Sequence, residues 1–122
     1  AERVAAADWS DTETVTLTLG ASGFVPAELT LRRDRPTRLV VVNASGSDHE
    51  LVAPEFFRDV AVERLSGPDG VTRAAWVSRV GLPAGQTREI WLIAARFGAY
   101  RFECGRLGHA ALGERGLISV EP

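Results

Sequence analysis

Methionine is absent from this chain, and cysteine occurs once, as Cys104. The first absence removes every thioether from the list of metal donors. The second means that no internal disulfide can form, so cysteine usage says nothing about compartment. Histidine is nearly as scarce, with only His49 and His109. Basic residues are in no surplus: the formal net charge is −2, which leaves no electrostatic footprint for a nucleic-acid backbone. Long apolar runs are missing too. The longest are "LVVV" at 39–42 and "IWLIAA" at 90–95, far short of the ~20 residues that cross a bilayer, so no membrane span is expected. Internal repeats, low-complexity tracts and linkers are not seen. With 122 residues the chain reads as one domain over 1–122, too short for an enzyme with a cleft between two domains. The N-terminal "AERVAAAD" has neither an initiator methionine nor an apolar signal core, as after removal of a signal peptide, so a periplasmic or otherwise exported location is expected.

What is present is strand pattern. In "TVTLTLG" Val15, Leu17 and Leu19 share one face and Thr14, Thr16 and Thr18 the other, the period-2 signature of a half-buried strand. "GASG" supplies a turn. "FVPAELTLRR", the β-branched "TRLVVVN", "HELVA", 74–80, 86–95, 98–104 and 116–121 continue the series, with "LPAGQ" at 82–86 as turn chemistry. Only "PEFFRDVAVERL", 54–65, suits a helical turn or two, because Phe56, Phe57, Val60 and Ala61 fall on one helical stripe. The expectation is an all-β fold: an antiparallel Greek-key β-sandwich or barrel of seven or eight strands with one short helical segment.

Chemistry concentrates in "YRFECGRLGHAALGERG", 100–116. Alternation along the approach strand turns Tyr100, Phe102 and Cys104 inward and Ala99, Arg101 and Glu103 outward. After the thiol comes a loop punctuated by Gly105, Gly108, Gly113 and Gly116, able to curl tightly enough to return His109 and Glu114 toward the sulfur. Taken singly, each residue has an ordinary explanation. Free cysteines are often small core residues, His109 can be a loop histidine, and Glu114 can be a solvated carboxylate paired with Arg106 or Arg115.

Taken together they resemble the metal-binding loop of the cupredoxins, the small blue-copper proteins. That family has an inward cysteine at the end of its penultimate strand, then a histidine, then an axial methionine before the last strand. A further histidine lies upstream, after a strand that ends in Asn; here "LVVVNASGSDHEL" offers Asn43 and His49. The resemblance covers essentially the whole chain and implies that His49, Cys104 and His109 are equatorial ligands of one copper ion per chain, cycling between Cu²⁺ and Cu⁺. Two histidines and a cysteine with a weak fourth ligand make the blue-copper arrangement. The chain departs from the pattern at the axial position, where Glu114 replaces methionine. Glu50 and Glu55, close to His49, are the alternative carboxylates.

Other chemistries fit less well. A Cys/His nucleophile needs an exposed, electropositive thiolate, a binuclear copper centre needs two cysteines, and multicopper oxidases need several His-x-His pairs. "GASG" and "GERG" are too short and wrongly flanked to cradle phosphate. The resemblance therefore implies a one-electron carrier and not an enzyme. It would act as a monomer and dock a redox partner protein through the apolar patch of Leu107, Gly108, Ala110, Ala111 and Leu112 around His109, with Leu82 and Pro83 as neighbours. A copper-binding or delivery protein without a redox circuit is one alternative. A Zn²⁺ module is another, since cysteine, two histidines and a carboxylate also suit tetrahedral zinc.

Overall fold

A computed structural model describes residues 7–20, 23–67, 70–72, 79–104 and 115–122. Among them the strands are β1 (Glu13–Gly20), β2 (Gly23–Val25), β3 (Glu28–Arg32), β4 (Thr37–Asn43), β5 (His49–Val52), β6 (Val60–Gly67), β7 (Gly70–Thr72), β8 (Arg79–Leu82), β9 (Thr87–Ala94), β10 (Gly98–Cys104) and β11 (Arg115–Glu121). One helix, α1 (Pro54–Arg58), follows β5. One sheet has the order β2-β1-β4-β9-β6-β7 and the other β3-β11-β10-β5-β8.

The period-2 patterns become the two faces of a sandwich. In β4 every second residue is buried, and in β10 Tyr100, Phe102 and Cys104 point inward as the alternation requires. Leu17, Leu19, Leu39, Val41, Ile90 and Leu92 of the first sheet meet Leu29, Leu31, Leu51, Phe102, Ile118 and Val120 of the second in one core. Each such side chain removed from water contributes about 1.5–3 kcal/mol. Edge-to-face aromatic contacts join Phe24 to Phe102, at 5.1 Å between ring centroids, and Phe56 to Tyr100, at 5.7 Å.

Three features differ from the sequence reading. The sheets are mixed, because β1 runs parallel to β4 and β3 parallel to β11. The chain leaves the first sheet after β2, lays β3 in the second, and returns as β4 beside β1 in the same direction; alternation carries no information about direction. The helix is only Pro54–Arg58, started by the fixed φ of Pro54 and ended at Asp59, whose N–H bonds to the Phe56 carbonyl. Val60 and Ala61 leave the helical stripe and pair with Ala94 and Ile93 of β9, with a bulge between Val62 and Arg64. The ladder to β9 offers a whole strand of hydrogen bonds, against one more helical turn for the alternative. Finally, the described strands number eleven, because "FVPAELTLRR" divides into β2 and β3 and because β6 and β7 were not anticipated. Residues 74–78 of the expected 74–80 strand lie outside the described residues; Arg79–Leu82 is strand.

Gly116 belongs to β11 and lies opposite Phe102 in register. A Cβ there would overlap both the Ala27 carbonyl oxygen and the Phe102 ring. Its place in the pattern comes from this close approach, not from loop flexibility. Gly116→Ala is expected to destabilise the fold by about 1–3 kcal/mol, the usual cost of overpacking, seen as a lower denaturant midpoint at constant slope.

Below the core, the Tyr100 hydroxyl donates to Asp59 Oδ2 at 2.9 Å, and Arg58 Nε donates to Oδ1 at 3.3 Å. The Arg58 hydrogen bond, followed by that from Tyr100, holds the Asp59 carboxyl below its ordinary 3.8. Burial first, and then the Asp59 bond, pushes the Tyr100 phenol above its ordinary 10.0. The signs are opposite. Asp59 contributes stability that is present above pH 3.8 and fades as pH falls through its lower folded value. Tyr100 contributes stability that is full below pH 10.0 and fades as pH rises through its higher folded value. Tyr100→Phe should therefore be less stable than wild type across neutral pH, with the gap narrowing at both extremes; urea unfolding at a series of pH values measures it.

Candidate metal centre

His49 opens β5 and Cys104 closes β10, and the two strands pair through Cys104 with Leu51 and Glu103 with Val52. Alternation in β5 turns His49 and Leu51 inward, as it does Cys104 in β10. His49 thus lies one inward position beyond the residue that faces the sulfur. Its Nδ1 comes 3.7 Å from Cys104 Sγ, with His49 8% and Cys104 2% exposed. Two donors separated by 55 positions in sequence meet at the end of the sandwich, where water is nearly excluded.

The pair has the right spacing for a shared ion. Bonds of about 2.3 Å to sulfur and about 2.0–2.1 Å to an imidazole nitrogen, the usual zinc values, close a 3.7 Å donor separation with an angle of about 115–120°. That lies between tetrahedral and trigonal. The separation of the two donors is therefore compatible with a shared ion.

The remaining expected ligands, His109 and Glu114, lie outside the described residues, as do Arg106 and the apolar patch of Leu107, Gly108, Ala110, Ala111 and Leu112. Among the described residues no group of three His, Cys, Asp or Glu side chains is placed to hold a metal. Glu50 and Glu55 do not join the pair. Glu50 occupies an outward position of β5 and forms an ion pair with Arg79 at 3.2 Å. Glu55 is exposed on α1 and lines a hollow on the outer surface with Val52, Pro54, Arg101 and Glu103. One strand position separates Glu50 from His49, and that single position sends it through to the other face.

A polar loop braces the histidine. The Asn43 side chain is fully buried, and its Nδ2 donates to the carbonyls of Ser47 at 2.9 Å, Leu82 at 2.8 Å and Pro83 at 3.3 Å. Its Oδ1 accepts from the Ser45 N–H at 3.0 Å and the Ser45 hydroxyl at 2.7 Å. Asp48 Oδ1 accepts from the Ala84 N–H at 3.0 Å, and Ser47 Oγ lies 3.1 Å from His49 Nε2. These serines were not singled out from the sequence. The available signal was "NAS" itself, since Asn followed two positions later by a bonded N–H is an Asx turn. Leu82 pairs with His49 in register, and with Pro83 it borders a hollow of about 190 Å³ beside the imidazole.

No protein-family model matches the chain, and no curated protein matches its sequence. Solved structures do match its fold. Auracyanin B shares 21% identity at a TM-score of 0.63, over 90% of this chain and 89% of that one. The dithionite-reduced auracyanin of Roseiflexus castenholzii shares 19% at 0.64, over 91% and 98%. The McoA multicopper oxidase of Aquifex aeolicus shares 16% at 0.72, over 95% of this chain but only 31% of the oxidase. The likeness extends over nine-tenths of the chain, and with the two mixed sheets and single short helix of the described residues it gives this protein a cupredoxin-like fold.

Proposed function

We propose that this protein binds one copper ion through His49, Cys104 and His109, with Glu114 as the fourth donor, and carries single electrons. The reading rests on one observation: His49 Nδ1 and Cys104 Sγ lie 3.7 Å apart, both turned inward and both nearly dry. When bound, copper held by a thiolate and imidazoles supplies a one-electron couple that needs little change of geometry.

The protein's own part is to keep the donors still. Cys104 is anchored by strand pairing on β10, and its neighbour on the same face, Phe102, packs against Phe24. His49 is fixed by its β8 partner Leu82 and by the loop that Asn43 ties down. A thiol 2% exposed is kept from solvent oxidants and from substrates alike, which suits transfer of electrons better than turnover. Partner docking belongs to the apolar residues Leu107, Ala110, Ala111 and Leu112 around His109, and an exported location suits a protein whose thiol is engaged by metal. A carboxylate at Glu114 is a harder, charged donor than the family's thioether, so it favours Cu²⁺ over Cu⁺ and lowers the reduction potential.

Copper-loaded wild type should show a strong visible thiolate-to-copper absorption at one ion per chain. Cys104→Ser should abolish it while leaving the β-sandwich folded by circular dichroism; retained colour would mean that sulfur is not a ligand. Glu114→Met should raise the reduction potential measured by redox titration, and an unchanged potential would remove Glu114 from the site. Ala111→Glu should leave the absorption intact and slow electron exchange with a partner protein about tenfold, the effect of ~1.4 kcal/mol of lost apolar contact.

A further inference from the structure

The imidazole of His49 is held at both nitrogens. Nδ1 faces Cys104 Sγ at 3.7 Å, and Nε2 faces the Ser47 hydroxyl at 3.1 Å. A neutral imidazole carries one proton, and only the nitrogen without it offers a lone pair to a metal. A group that accepts the proton of the outer nitrogen therefore leaves the inner one ready to bind. We infer that Ser47 is a positioning residue for the metal site: its hydroxyl accepts the Nε2 proton of His49 and so keeps Nδ1 unprotonated and aimed at the sulfur before any metal arrives. This inference rests on the proposed role of His49 as a ligand.

Two observations support it. The backbone that carries Ser47 is itself tied, because its carbonyl accepts from buried Asn43 Nδ2 at 2.9 Å. Ser47 is exposed, so its own hydroxyl proton can be given to water while the oxygen accepts from the ring. The reverse arrangement, with Oγ donating to Nε2, would put the ring proton on Nδ1, between the ring and the sulfur, where a metal would have to displace it. A hydrogen-bonded outer nitrogen also fixes ring rotation about the Cβ–Cγ bond, which sets the direction of the Nδ1 lone pair. Partners of this kind commonly change metal affinity by about 10- to 100-fold when removed.

The test compares wild type with Ser47→Ala and Ser47→Thr, each labelled with ¹⁵N-histidine, with His109→Gln used to tell the two rings apart. In the metal-free proteins at mildly alkaline pH, the ring nitrogen shifts of wild-type His49 should report the Nε2–H tautomer. Ser47→Ala should raise the Nδ1–H population, and Ser47→Thr, which keeps the hydroxyl, should restore the wild-type pattern. Cu²⁺ affinity by chelator competition should fall about 10- to 100-fold in Ser47→Ala and recover in Ser47→Thr. The inference is overturned if wild-type His49 is the Nδ1–H tautomer, if Ser47→Ala leaves tautomer and affinity unchanged, or if Ser47→Thr is as weak as Ser47→Ala, which would make the serine a loop-packing residue. Failure of the metal reading looks different: wild type would lack thiolate absorption on copper addition, while the metal-free tautomer comparison would still decide the role of Ser47.

Discussion

The side-chain amide of Asn43 is fully buried and has both of its ends occupied by backbone or hydroxyl groups of the loops around His49. An amide taken out of water costs several kcal/mol if left unpaired, so its bonds are obligatory once the fold forms. Its Nδ2 joins the carbonyls of Leu82 and Pro83 to that of Ser47 in the 43–47 turn. Any motion that separated these loops would expose unsatisfied groups on both. His49 sits between them, as the first residue of β5 and the ladder partner of Leu82. Its place is therefore set in part by a buried polar group that is not its neighbour in the strand.

The sulfur is placed by different forces. Cys104 ends an inward row that begins with Tyr100 and Phe102, and the ring of Phe102 is enclosed by Phe24 on one side and by bare Gly116 on the other. Dispersion and apolar burial hold this row, and they are insensitive to the state of the sulfur at its end. One donor is thus tied by directional hydrogen bonds and the other by close packing. The 3.7 Å between them is the meeting of two independently stabilised elements. Such an arrangement does not need a metal to create it, as the proposed electron-carrying role requires.

How much of this was legible in the residues depends on the range of the interaction. The inward direction of Cys104 follows from nearest-neighbour alternation, and so does the outward direction of Glu50, although its exclusion from the pair becomes plain only when the ion pair with Arg79 is seen. The meeting of His49 with Cys104 was accessible through resemblance alone, since no local rule links positions 55 apart. Strand direction was not accessible, because β1 and β4 bury the same alternating residues whether parallel or antiparallel. Val60 and Ala61 read as part of a helical stripe, and pairing along the edge of β9 makes them strand instead. Ser47 gave no signal by type, as a serine two positions before a histidine is ordinary in a turn; only the tied backbone gives its hydroxyl a direction.

Register then becomes the quantity on which the site depends most. A slip of one residue in β10 would exchange Cys104 for Glu103, sending the thiol into water and a carboxylate into the core. The same slip in β5 would exchange His49 for Glu50. Two paired positions between β5 and β10 are a short ladder for so strict a requirement. The restraint comes from the neighbours: β11 pairs with β10 over six positions, from Gly98 with Val120 to Glu103 with Arg115. Within that ladder Gly116 is the one residue that tolerates the Phe102 ring above it and the Ala27 carbonyl beside it. Shifting the register would bring Arg115 or Leu117 opposite Phe102, where their side chains have no room. A missing side chain twelve positions after the cysteine in sequence thereby helps to decide which atom faces the imidazole.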